Sequence, residues 1–209
     1  MRSAIFRPKG WPFLCIMILL FLAGEVKGAE KARVQEAFVV NSQTDLLLYF
    51  RVEGAISPEM EKGILNGIPV TFAFFVELHE YQEQKGLVQV ASRTFRHSLH
   101  FETLKEEFQL ERTEHAKEMV RVKEFDKAVR AMVGVHDLPV ASLAFLKPGS
   151  RYIVKIKARL AKEYLPEKFK NVMTFIKMWD FETKWHELGF TMAPALPAEE
   201  EGVKSSRSR

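Results

Sequence analysis

Gly67-Ile68-Pro69-Val70-Thr71-Phe72-Ala73-Phe74-Phe75-Val76-Glu77-Leu78-His79-Glu80-Tyr81 is the stretch that decides the fold class. Its even positions Val70, Phe72, Phe74, Val76 and Leu78 form an unbroken apolar row. The odd positions run from mixed (Thr71, Ala73, Phe75) to polar (Glu77, His79, Tyr81). A period of two in β-branched and aromatic residues predicts a strand with one face in a core. Its first half, apolar on both faces, is expected to be covered on both sides. Pro69 has no N–H for a ladder and belongs at the strand's start.

Outward from this strand the same period recurs. Arg33–Val40 (Val34, Phe38, Val40) and Asp45–Glu53 (Leu46, Leu48, Phe50, Val52) predict a hairpin. Ser57-Pro58-Glu59 opens a short helix that Gly67 closes. Leu87–Phe101, Glu107–Thr113 and Lys117–Lys123 alternate again, and Glu124–Val133 switches to helical spacing. Pro139–Leu146, Arg151–Leu160 and Trp179–Met192 are expected strands, and Leu165-Pro166 opens a third short helix through Ile176. The pattern predicts a mainly β protein: one antiparallel sandwich or open barrel of about nine strands with three short connecting helices. The domain is expected over 29–193, followed by a disordered tail over 194–209.

The apolar fraction of 47% is that of a globular chain. The net charge of +4 is concentrated at the N-terminus: beyond residue 28 there are 27 basic and 26 acidic residues. That balance argues against nucleic acid, whose binding domains carry a basic excess. Arg2, Arg7 and Lys9 precede the apolar run Phe13–Ala23, and Val26 and Gly28 offer small side chains before Ala29. This is the pattern of a secretory signal over 1–28, and it places the chain in the periplasm or outside the cell. The alternative is an uncleaved inner-membrane anchor, the one expected membrane contact, though such a run spans only about 17 Å as a helix. Cys15 is the single cysteine and lies in that run, so a chain cleaved before Ala29 is expected to have no thiol chemistry.

Catalytic constellations are missing: there is no Gly-x-Ser-x-Gly elbow and no phosphate loop, and the chain is expected not to be an enzyme. No cofactor and no metal site are expected. His97 and His100 lie three apart, on opposite faces of a strand, and are read as surface residues. Glu77 and His79 share a face but are two ligands where zinc needs three or four. The row Lys155, Lys157, Arg159 is a one-sided basic face suited to an anionic partner, or simply to solubility and edge protection. Trp179 and Trp185 mark an aromatic end that is either a ligand platform or packing.

In order along the chain, Gly67-Ile68-Pro69-Val70, Glu77-Leu78, Phe108-x-Leu110, Phe125…Ala128, Tyr152-x-Val154-x-Ile156, Leu165-Pro166 and Trp179-x-Phe181-x-x-x-Trp185 resemble a bacterial family of secreted or membrane-anchored proteins, domain of unknown function 4390. The set covers about Val34 to Phe190, and the resemblance implies a secreted module with no catalytic residues to carry over. The expected role is a non-catalytic module that binds an envelope or membrane protein through a sheet edge or charged strand face. The alternative is a carrier or sensor of an apolar or lipid ligand held between the sheets, near Phe72, Phe74, Phe75 and the tryptophans. A hydrolase built on Glu77 and His79 is the third and weakest option.

Overall fold

In a computed structural model, residues 31–114, 116, 118–167, 169, 179 and 181–193 are described. The central stretch is a strand, β3 (Val70–Gln82), whose even side chains from Val70 to Leu78 are all buried. The other strands are β1 (Arg33–Asn41), β2 (Asp45–Glu53), β4 (Gly86–Glu102), β5 (Glu107–Arg112), β6 (Glu118–Val122), β7 (Gly134–Ser142), β8 (Arg151–Leu160) and β9 (His186–Thr191). They form two antiparallel sheets, one of three strands in the order β1-β2-β7 and one of six in the order β6-β5-β4-β3-β8-β9. The fold is mainly β, as expected, with two antiparallel sheets that do not close into a barrel.

Two connecting helices, not three, occur among the described residues: α1 (Pro58–Leu65) and α2 (Phe125–Val133). Most of the third, expected from Leu165 to Ile176, falls outside the described residues. Ser57 Oγ accepts from the Met60 N–H and Pro58 occupies the first turn of α1. At its other end Gly67 (φ +78°) donates to the Ile64 carbonyl and Ile68 to the Gly63 carbonyl, the paired bonds of a left-handed helix stop.

Buried side chains from both sheets meet in one core. Leu46, Leu48, Phe50 and Val52 of β2 face the even row of β3 and the row Tyr152, Val154, Ile156, Ala158 and Leu160 of β8. The Phe50 and Phe74 rings meet edge-on across the gap, with centroids 5.9 Å apart. Phe74 also stacks on Phe95 of β4 at 5.0 Å. As expected, the start of β3 is buried on both faces: Thr71 and Ala73 are buried too.

Three strand boundaries depart from the sequence pattern. β7 begins at Gly134 and ends at Ser142, and Leu143–Phe145 form a 3-10 turn. β9 starts at His186 rather than Trp179. β1 breaks phase. Val34 points inward, but a bulge between Gln35 and Phe38 reverses the alternation, so Phe38 (50% exposed) and Val40 face out. A register slip of one residue moves every later side chain to the opposite face.

Candidate functional site

The residues singled out in the sequence gather mostly on the outer face of the six-stranded sheet. Glu77 and His79 project from β3, and His79 Nε2 lies 2.9 Å from Glu77 Oε2. Lys155 of β8 lies opposite both Glu77 and Glu187 in register, and bonds Glu187 at 2.9 Å. Lys157 pairs with Glu182. Arg159 holds Glu163 with two bonds, at 2.5 and 3.2 Å. The guanidinium beside Glu163 keeps that carboxyl below the usual range, and Lys157 does the same for Glu182. The basic row is therefore neutralised residue by residue: the neighbouring chain sets an acidic residue beside Lys155 and Lys157, and the turn after β8 supplies Glu163 to Arg159.

The tryptophans part company. Trp185 is 42% exposed, with the Lys157 ammonium 5.8 Å from its ring centre. Trp179 is buried against α1, so close to Gly63 that a Cβ there would stand 2.3 Å from the ring. Its burial makes it a packing side chain. Phe72 and Phe74 are likewise fully buried packing side chains.

His97 corrects the expectation of a surface residue. It is fully buried between β4 and α2, with the Phe74 ring 4.8 Å away. Its Nδ1 lies 2.7 Å from the Met132 carbonyl and its Nε2 2.7 Å from Glu114 Oε1. A carbonyl only accepts, so Nδ1 carries a proton. The Nε2–Glu114 contact then shares one further proton, either as imidazole with carboxylic acid or as imidazolium with carboxylate. The pair ties β4, the end of α2 and the segment after β5 together. The sequence hint was His97 standing within the apolar row Phe95, Leu99, Phe101; nothing flagged Glu114.

The arrangement that the sequence did not suggest lies on the outer face of the three-stranded sheet. β2 runs without interruption, but both of its neighbours bulge at the same level. Glu36 in β1 and Asp137 in β7 each take a left-handed φ of +52°, unusual for residues other than glycine. Between them β2 presents Tyr49 and Arg51. The Tyr49 hydroxyl donates to Asp137, and Arg51 pairs with Glu36. The hydrogen bond to Asp137, then burial and the aspartate's charge, raise the Tyr49 pKa above its ordinary value. Phe38 lies flat on Tyr49 at 4.9 Å, and His136 meets the same ring edge-on at 6.3 Å. Gly134 allows β7 to leave α2 closely: a Cβ there would meet the Arg130 carbonyl and His136 at 3.0 Å. Glu36, Phe38, Tyr49, Arg51 and His136 line, with Arg130, a cleft of about 300 Å³.

One signal for this cleft was present in the sequence. Val135 and Leu138 are three apart in a strand whose inward row otherwise steps by two, which is the mark of an inserted residue.

A family model described as Domain of unknown function (DUF4390) matches residues 29–189, most of the chain. The chain belongs to the DUF4390 family. Neither a curated protein nor a solved structure matches it. No group of three or more His, Cys, Asp or Glu placed to hold a metal ion occurs among the described residues of this DUF4390 chain, nor does any helix long and apolar enough to cross a membrane.

Proposed function

We propose that this DUF4390 chain is a non-catalytic protein-interaction module of the bacterial cell envelope, and that it contacts its partner through the outer face of the three-stranded sheet. The observation that carries this is the pair of bulges facing each other across β2. Each places a non-glycine residue in a left-handed conformation, which costs about 1–2 kcal/mol. What the bulges achieve is a surface: they turn Phe38 and Val40 outward and open the cleft. The alternative surface, the basic row of β8, is supported less well because acidic neighbours already satisfy its charges. The other edge of the small sheet is protected, with Pro139 in β7 and Arg93 donating to the Pro139 carbonyl at 3.2 Å. Envelope placement rests on the signal-like segment before Ala29.

The test is photo-crosslinking of the full-length chain in its own host. A crosslinking residue is placed in turn at Phe38, Val40, Lys157 and Trp185. Protein adducts formed at Phe38 or Val40, and not at Lys157 or Trp185, are expected. Adducts confined to Lys157 and Trp185 would move the contact to the large sheet. A chain that forms no protein adduct from any position would sink the module. Mass spectrometry of the same sample reads whether the N-terminus begins near Ala29.

A further inference from the structure

Resting on that proposal, the charges around the cleft narrow what enters it. Arg51 is held by Glu36, and Asp137 accepts from Tyr49. Arg130, exposed in the last turn of α2, also lines the cleft, and no carboxylate is paired with it among the described residues. A guanidinium recognises a planar carboxylate through two parallel N–H donors. Beside it the stacked Phe38 and Tyr49 rings offer an apolar shelf, and Phe38 is half exposed. About 300 Å³ is at the small end of ligand sites and has room for one or two side chains. We infer that the cleft receives an acidic anchor of the partner protein, with its carboxylate on Arg130 and an adjoining apolar side chain across Phe38 and Tyr49. One buried anchor surrounded by a weaker rim is how protein interfaces concentrate their affinity.

The experiment is Phe38→p-benzoylphenylalanine in the full-length chain, crosslinked in its own host with Arg130 intact, with Arg130→Glu and with Arg130→Lys. Arg130 is exposed, so the charge reversal leaves the core alone, and an unchanged melting temperature verifies this. A protein adduct is expected whose crosslinked peptide contains Asp or Glu within a few residues of the attachment. Its yield should fall about tenfold or more in Arg130→Glu and recover partly in Arg130→Lys. Adduct yield undiminished by Arg130→Glu, a crosslinked peptide without an acidic residue, or a lipid adduct in place of a protein would overturn the inference. If Phe38 gives no adduct while Val40 does, the acidic anchor fails and the interaction module stands; if neither these nor the large-sheet positions react, both fail.

Discussion

The two sheets of this domain solve their outer faces differently. In the six-stranded sheet β8 pairs with β3 and β9 in unbroken register, and each cation of its basic row has an acidic neighbour. Lys155 has Glu187 of β9, Lys157 has Glu182 just before β9, and Arg159 has Glu163 four residues on in the turn after β8. The three-stranded sheet is interrupted on both sides of β2, and the interruptions leave apolar and cationic groups facing outward. The comparison teaches that a regular ladder tends to satisfy its own surface, while a bulge re-aims side chains toward something else.

Breaking what the sheets share has the largest effect. Phe74 is fully buried and touches Phe50 of the small sheet as well as Phe95 and His97 of the large one. Phe74→Ala is expected to cost about 3–5 kcal/mol in denaturant unfolding, with signals from both sheets lost in one transition. Two separate transitions would mean that the sheets are independent units.

Next comes the buried pair. His97→Leu leaves Glu114 without its histidine and removes the bond to the Met132 carbonyl, for a loss of about 3 kcal/mol. The double variant His97→Leu with Glu114→Leu should lose less than the sum of the single changes. Additive losses would show that the two side chains do not act as a pair.

Titration separates the carboxylates around the large sheet from Tyr49 by sign. Hydrogen bonds from Gln82 and then Lys147 hold Glu80 below the ordinary carboxylate range, and Glu163 and Glu182 are lowered as well. A folded pKa below the unfolded value stabilises above about pH 4.3 and is lost as the pH falls through the folded value. These groups flank the large sheet, so acid should loosen it first. Tyr49 has the opposite sign: its raised pKa favours the fold below about pH 10 and is lost as the pH rises through the folded value. Hydrogen exchange at acid and alkaline pH, read strand by strand, checks both directions.

The bulge strain is smaller. Glu36→Gly removes a left-handed non-glycine residue at the cost of an exposed ion pair, and should be neutral or stabilising by about 1 kcal/mol in thermal melts. A marked loss of stability would make the bulge a structural necessity. Smallest of all, Lys157→Ala on the regular sheet should change stability by about 0.5 kcal/mol or less. A larger loss would mean that its contacts with Glu182 and Trp185 do more than neutralise a face.

Most of the fold was legible because burial writes a period of two into each regular strand. The rows of β2, β3 and β8 are buried as their alternation predicts, and the caps of α1 are local devices that short motifs specify. The charge on β8 was legible as well, but its neutralisation was not, since Glu182 and Glu187 approach from β9 and the bridge before it.

By itself, then, the sequence determined the family, from the order of motifs along nearly the whole domain, and the β class, the antiparallel pattern and which face of most strands is buried, because these follow from neighbours within a few residues. Tertiary structure alone decided that Phe38 and Val40 turn outward, that His97 meets Glu114, and that Arg130 shares a cleft with Tyr49 and His136. The physical reason is separation along the chain. A bulge changes the phase of a strand through one residue, and a cleft or buried pair depends on which distant strands are set side by side.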